Sequence, residues 1–369
     1  MVRIEAVLKI YYFGWWIMVY VNARFLTQEL TGVQRFAEQL ALSLSNIRND
    51  LVFVAPNNIV RKSVANKLNV EVLGKKRGHF WEQVELPFFL KKHNNPLLLN
   101  LCSTAPILYK NQIVTHHDVT YKRYPESFSR KFNLLYGVLV PLMLKNSHRL
   151  LTVSEFSKRE IIDVYKISES KVSIVYNATD GKFRSSGEGE YKNKYLLAVS
   201  SPNFHKNFHG MIEAFIKLND SNCKLKVIGK TATSFAVQDY SKLMKNSANI
   251  EFLGRVDDEE LINLYRGALA FVFPSFYEGF GIPPLEAQAC GCPVISSNTA
   301  SMPEVLGNSV IYFSPDNTDM MAECMRRIIS DSSLRNSLID AGEENVKRFS
   351  WDASAMKISS ILDELVGYR

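Results

Sequence analysis

Cysteine is scarce in this 369-residue chain. The five present (Cys102, Cys223, Cys290, Cys292 and Cys324) are scattered and form no C-x-x-C. That excludes a disulfide framework and a cysteine zinc site, and it points to a reducing compartment. No apolar run reaches the ~18–20 residues needed to span a bilayer. No G-x-G-x-x-G follows a strand-like run, which weakens a dehydrogenase reading. The histidines show no metal-binding spacing, since His116 and His117 are adjacent rather than at i, i+4. With 46% hydrophobic and 22% charged residues, the composition is that of a folded protein and not of a disordered, collagen-like or coiled-coil chain.

What is present is unevenly placed. Residues 1–190 hold 26 Lys and Arg against 16 Asp and Glu, whereas residues 191–369 hold 18 against 21. A basic first half suits an anionic partner, although a solvated lysine-rich surface explains it equally well. The start, IYYFGWWIMVYV at 10–21, is too short and aromatic for a secretory h-region. Its end, Ile17–Asn22, reads as a strand. Met18 lies just inside that strand, which favours translation beginning there over an aromatic extension touching a membrane.

Strand-like runs of four to six residues then alternate with helical patterns. The runs start at Leu51, Leu97, Ile113, Leu150 and Val172, and again at Tyr195, Leu225, Ile250, Ala270, Pro293 and Val310. They lack a strict two-residue period, as expected for parallel strands buried on both faces. Helical patterns include Gln34–Leu44, Glu155–Tyr165, Phe208–Leu218, Asp258–Arg266 and Asp319–Ile329. Repeated β-α alternation gives an α/β class with doubly wound sheets. Residues 181–194 are polar and rich in Gly and Ser, the composition of an exposed linker. The expected layout is therefore a first Rossmann-like domain at 1–180, a hinge at 181–194, and a second at 195–349. A closing helix at 350–369, capped by Ser350 or Asp352, packs back on the first domain.

The segment richest in chemistry is FPSFYEGFGIPPLEAQACGCPV at 273–294. A strand ends at Pro274-Ser275, a glycine-punctuated loop follows, and a helix opens at Pro283-Pro284, where proline is tolerated. Gly291 suits its carboxyl cap. Beyond the carboxyl end of a strand, the bare amides of Gly279-Phe280-Gly281-Ile282 and the helix dipole make a cradle for a diphosphate. Glu278 and Glu286 flank it at E-x7-E spacing, Glu286 in the first helical turn. Phosphate repels carboxylates, so sugar hydroxyls are the partners expected for them. Taken alone, an E-x7-E is usually an ordinary βα loop.

The whole string resembles the signature of the retaining GT-B glycosyltransferases that carry this motif, the group 1 family with mannosyltransferase-like members. The resemblance extends to VNARFLTQELTGVQRFAEQL (21–40), WEQVELP (81–87), HHDVTY (116–121), LTVSEFSKREII (151–162), PNFHKN (202–207), FLGRVDDEELINLYRGA (252–268) and SMPEVLG (301–307). It implies a GT-B fold, two Rossmann-like domains facing across a cleft. It also implies transfer of a sugar, mannose among the candidates, from a nucleotide-sugar to an acceptor hydroxyl. By this likeness Glu278, His117 and Lys206 are the catalytic set. Gly32, Val33, Val256, Gly279, Phe280, Gly281, Ile282 and Glu286 bind the donor, with Glu286 on the ribose and Val256 by the base.

Where many relatives carry an arginine before the lysine, this chain reads VSSPNFHKN, and His205 substitutes for it only when protonated. No D-x-D occurs. The expected chemistry is metal-independent, with no cofactor, the leaving diphosphate being neutralised by Lys206 and loop amides. A GT-B epimerase and a non-catalytic sugar-nucleotide-binding subunit are the alternatives.

The acceptor expected from the resemblance is a glycan or lipid-linked glycan of surface polysaccharide or O-antigen assembly. Phe128, Phe132, Leu135, Leu139 and Leu142 recur on one helix face, with Pro141 expected to kink or interrupt it. Packing on its own sheet is the favoured reading of this face; contact with an anionic membrane is the other. The expected location is the cytoplasm, free or peripheral on the inner face of the membrane. No nucleic-acid-binding module is recognisable.

Overall fold

The structure, a computed structural model, describes residues 18–185, 194–199, 203–229 and 249–367. The segment before Met18, most of the expected hinge, and Ser200-Ser201 lie outside the described residues.

Seven parallel strands form the first sheet: β1 (Val19–Asn22), β2 (Leu51–Ala55), β3 (Glu71–Val72), β4 (Leu98–Asn100), β5 (Gln112–Thr115), β6 (Arg149–Thr152) and β7 (Val172–Ile174), in the order β3-β2-β1-β4-β5-β6-β7. Six parallel strands form the second: β8 (Tyr195–Val199), β9 (Lys224–Ile228), β10 (Ile250–Gly254), β11 (Ala270–Phe273), β12 (Val294–Ser297) and β13 (Ile311–Phe313), in the order β10-β9-β8-β11-β12-β13. Strands β5, β11 and β12 are buried along their whole length, as expected of parallel strands covered on both faces; in β11 the run Ala270–Phe273 is wholly apolar. Sequence reading misses only β3, a two-residue exposed edge strand.

Seven of the connecting helices position the site. They are α1 (Gly32–Ile47), α2 (Arg130–Lys145), α3 (Glu155–Tyr165), α4 (Phe208–Leu218), α5 (Asp258–Gly267), α6 (Ile282–Ala289) and α7 (Trp351–Gly367). Their starts follow capping rules: Ser154 Oγ accepts from Ser157 N at 2.9 Å and Asp257 Oδ1 from Glu260 N at 2.9 Å. Helix α1 buries Phe36, Ala37, Leu40, Ala41 and Leu44 at helical spacing.

Helix α7, last in the chain, lies across α1 of the first sheet's layer. The Trp351 and Phe36 rings sit 6.0 Å apart. Arg48 donates to Asp363 at 2.6 Å, Arg149 pairs with Glu364, and Ser354 Oγ donates to the Tyr176 carbonyl at 2.7 Å.

Three local expectations change. Helix α2 runs without interruption through Pro141. It buries Val140, Met143 and Leu144 and half-buries Phe132 and Tyr136, while Leu135 and Leu142 of the expected apolar face are exposed together with Leu134 and Val138. The run is apolar nearly all round, so spacing alone does not choose the buried face. Helix α6 begins at Ile282, which puts Glu286 in the second turn and not the first. The start of the expected linker is not wholly exposed either, because Phe183 is buried against Tyr265.

Each sheet reverses its strand order once, at β1/β4 and at β8/β11. In open parallel sheets, ligands bind in the crevice beyond such switch points.

Candidate active site

Both switch points open on one cavity of about 500 Å³. From the first sheet it is lined by Arg24 after β1, Cys102–Thr104 after β4 and His116–Asp118 after β5. Val33 and Gln34 at the start of α1, and Phe128, Phe132 and Tyr136 around α2, extend that wall. From the second sheet come Asn203, His205 and Lys206 after β8, and Glu278 after β11.

Lys206 Nζ donates to Glu278 Oε1 at 2.6 Å, joining the two loops of the second switch point. The Glu278 loop is clamped from both sides. Ser154 and Ser157, at the start of α3, donate to the Gly279 carbonyl at 2.6 and 3.0 Å. Ser301 Oγ donates to the carbonyls of Glu278 and Phe280 at 2.9 and 3.1 Å. Glu304 reaches the opposite way, accepting from the amides of Glu155 and Phe156 at 2.7 and 2.9 Å. The loop conformation needs its glycines. At Gly281 φ is +93°, and an added Cβ would lie 2.6 Å from the Met302 methyl.

His116, His117 and His205 are neutral at neutral pH. His116 and His117 are buried, and burial lowers both well below the usual histidine value, with only partial compensation from Asp118. His117 packs edge-on to Phe36 and hydrogen-bonds the Leu101 backbone, while its Nε2 has no partner among the described residues. His205 is pushed down to about 4 by burial first and by adjacent Lys206 second. Its Nδ1 bonds Ser127 Oγ at 2.9 Å. It therefore adds no positive charge in place of the arginine the sequence lacks.

Glu286 is elsewhere. It is buried on α6 beside Arg35 of α1, whose Nε stands 4.0 Å from Oε1, while Arg35 itself pairs with Asp258 at 2.8 Å. Burial raises the Glu286 carboxyl to about 7, against the pull of Arg35.

The structure thus brings Glu278, Lys206, His117 and Val33 onto one cavity. Gly32 opens α1 beside Val33, with free space where a side chain would be. Gly279 and Gly281 shape the loop, and Ile282 starts α6. The Phe280 ring turns inward against Tyr176 and Phe349. Val256 is half-buried in the turn before α5 and, like Glu286, does not line the cavity. Sequence reading missed Arg24, His79, Cys102–Thr104, Asp118 and Arg35. For Arg24, Cys102–Thr104 and Asp118 the signal was position just past a strand, which becomes informative only with the strand order; Arg35 and His79 lie in helical segments and carry no such signal.

Comparison with known proteins agrees with this architecture. The family model described as Glycosyl transferases group 1 matches residues 181–345, and that described as Glycosyltransferase Family 4 matches residues 30–182. The O-antigen chain mannosyltransferase RfbU of Salmonella typhimurium is 31% identical over 307 residues, covering 81% of this chain and 84% of the relative. O-antigen chain mannosyltransferase B of Escherichia coli is 29% identical, covering 67% of this chain and 68% of the relative. Among solved structures, sucrose-phosphate synthase of Thermosynechococcus elongatus superposes with a TM-score of 0.75 at 16% identity, over 95% of this chain and 99% of that one. Anabaena HepE in complex with UDP and glucose gives 0.71 at 17% identity, over 94% and 99%. Both share the GT-B arrangement of two facing domains.

Proposed function

The chain belongs to the group 1 glycosyltransferases, and on that premise we propose that it is a retaining, metal-independent hexosyltransferase. It moves mannose from a nucleotide-sugar to a hydroxyl of a glycan, lipid-linked in surface polysaccharide assembly, at the cytoplasmic side of the membrane. The observation that carries the reading is the Lys206–Glu278 pair at the second switch point, facing His117 across the cavity. The relatives' names support mannose and an O-antigen-type acceptor, and they favour neither an epimerase nor a non-catalytic subunit.

The chemistry follows from charge. As the bond from the sugar's anomeric carbon to the diphosphate breaks, the leaving oxygen gains negative charge. Lys206 Nζ exchanges Glu278 for that oxygen, and the loop amides and the α6 amino terminus add to its stabilisation. The acceptor hydroxyl attacks from the face the diphosphate leaves, and its proton passes to the departing phosphate oxygen. Glu278 lies against the sugar, and neutral His117 offers its unpartnered Nε2 to a sugar hydroxyl. Glu286 accepts from the ribose, with Gly32, Val33 and Val256 around the nucleotide. This scheme assigns no role to a metal.

The exposed Leu134, Leu135, Val138 and Leu142 of α2, beside exposed Lys131 and Lys145, are the contact with an anionic membrane. Aspartate at 134 and 138 is expected to abolish sedimentation with anionic vesicles.

The primary test is a thermal-shift panel of UDP, GDP, dTDP and ADP and their sugars, with and without EDTA. At 100 times its dissociation constant, the true donor stabilises the fold by about 2.7 kcal/mol. A shift for one nucleotide that survives EDTA, followed by a product whose anomeric proton shows retained configuration by NMR, supports the reading. No shift for any nucleotide overturns it.

A further inference from the structure

Glu286 is 5% exposed, yet among the described residues its carboxylate accepts no hydrogen bond. A buried carboxylate without hydrogen bonds is costly, so its open lone pairs point to a ligand. Its nearest cation comes from the other domain. Glu286 stands on α6 of the second domain, and Arg35 in the first turn of α1 of the first, with Nε 4.0 Å from Oε1. Arg35 is fixed from two further sides. Its Nη2 donates to Asp258 Oδ1 at 2.8 Å, and its guanidinium carbon lies 5.7 Å from the centre of the Phe183 ring. Asp258 also pairs with Lys182 of the chain crossing, and Lys182 with Asp180 at 3.2 Å.

These groups act on Glu286 with opposite signs. Asp258 and Asp180 disfavour its charge, whereas Arg35 and then Lys182 favour it, Arg35 being the strongest of the four. Tyr265 of α5 and Cys290 after α6 also face it, but burial raises both and leaves them uncharged at neutral pH. Two vicinal ribose hydroxyls need two acceptor oxygens. A carboxylate offers both; a protonated carboxyl turns one of them into a donor. Resting on the proposed transferase reading, in which Glu286 holds the ribose, we infer that Arg35 is a positioning residue for the donor: from the first domain it supplies the counter-charge of the ribose carboxylate in the second. Binding of the nucleoside by the second domain thus depends on a side chain of the first. Burial still holds the Glu286 carboxyl near 7 against the pull of Arg35, so the site strengthens as pH rises through neutrality.

The test measures equilibrium binding to the whole enzyme by calorimetry from pH 6 to 8.5. The probes are UDP-glucose, GDP-mannose, dTDP-glucose and ADP-glucose, whose diphosphate diesters do not titrate in this range. In the wild type, affinity for the one that binds should rise as pH passes through about 7. Arg35→Gln keeps a hydrogen bond to Asp258 and loses the charge. It should move that rise up by at least about one pH unit, the least expected when a cation this close is removed. Affinity at pH 7 then falls at least about fivefold, and the difference narrows toward pH 8.5. Arg35→Met carries the same expectation and serves if Arg35→Gln does not fold. Arg35→Lys retains the charge and should restore the wild-type midpoint. Glu286→Gln should bind weakly with no rise, and adding Arg35→Gln to it should cost no more than about twofold further. A wild-type profile that is flat, a rise left in place by loss of the Arg35 charge, or an equal loss at every pH overturns the assignment; the last is what a merely structural arginine would give. Absence of binding by every one of these nucleotide-sugars in the wild type instead overturns the transferase reading beneath it.

Discussion

Asp118 occupies the space that a side chain at Gly279 would need. A Cβ at 279 would fall 2.8 Å from both Asp118 Cβ and Oδ2, and 3.2 Å from the His117 carbonyl oxygen. Asp118 cannot easily retreat, because its Oδ1 accepts from Thr120 N at 2.9 Å and Thr120 Oγ1 at 2.6 Å. The two loops belong to different sheets, so this contact sets how closely the halves of the site approach. Gly279→Ala is expected to hold them apart by a fraction of an ångström. A misplacement near 1 Å costs about 10²-fold in rate, and kcat should fall at least tenfold with the nucleotide thermal shift retained. Steady-state kinetics beside the thermal panel checks this; unchanged kcat would show that the approach does not matter to the chemistry.

Among the described residues, Lys206 is the one cation on the second switch point's side of the cavity lining. Lys206→Met is expected to cost about 2–4 kcal/mol in the barrier, as for loss of one preorganised donor, or roughly 30- to 10³-fold in kcat. The acceptor KM should change little, because the diphosphate and not the acceptor loses its partner. Lys206→Arg should recover part of the loss. A variant that lowers affinity for donor and leaves kcat intact would make Lys206 a uniform binder.

Much of this was legible in sequence, for identifiable reasons. Buried parallel strands read as short apolar runs, so β5, β8 and β11 were placed to within a residue or two. The glycine-punctuated loop and the helix after it were legible because glycine and proline each have a local reason to stand where they do. The buried face of α2 was not, since Leu134, Leu135, Val138 and Leu142 are as apolar as the residues packed inside. Arg24 and Glu82 were not either. They are 58 positions apart, Arg24 just past β1 and Glu82 in the helical crossover between β3 and β4, a contact of the fold that no local pattern encodes. The neutrality of His205 needed burial, which sequence does not give.

The histidines predict an acid limit to stability. His205 sits near 4 in the folded protein and the buried His116 and His117 are likewise depressed, against an ordinary value of 6.5. The unfolded chain takes up these protons first as pH falls. The stabilisation is therefore present above pH 6.5 and is lost as pH drops through 4. His205 alone accounts for on the order of 3 kcal/mol over that window. The histidine contribution to the melting temperature should be flat from pH 8 to 7 and fall steadily below 6.5. His205→Gln, which keeps a partner for Ser127, should make the fall shallower; an equally steep fall would remove His205 from the account.

Glu286 predicts the opposite slope. Burial raises its carboxyl to about 7 from an ordinary 4.5, with Arg35 opposing the rise. The folded state holds this proton more tightly than the unfolded chain does. Its contribution is full below pH 4.5 and is lost as pH rises through 7, so above pH 7 the carboxylate works against the fold. Glu286→Gln removes the buried charge and should raise the melting temperature at pH 8, with no difference from wild type below 4.5. As the proposed acceptor of the ribose hydroxyls, the same carboxylate makes charge-assisted bonds about twice as strong as those of an amide. The variant should therefore bind the nucleotide less tightly, by about tenfold, while being the more stable protein. Calorimetric melting across pH 4–8, paired with nucleotide titration at pH 8, separates the two effects. A variant less stable at pH 8 would mean that the Arg35 ion pair outweighs the cost of burial. One that is more stable and binds nucleotide unchanged would leave Glu286 a buried carboxylate with no part in holding the donor.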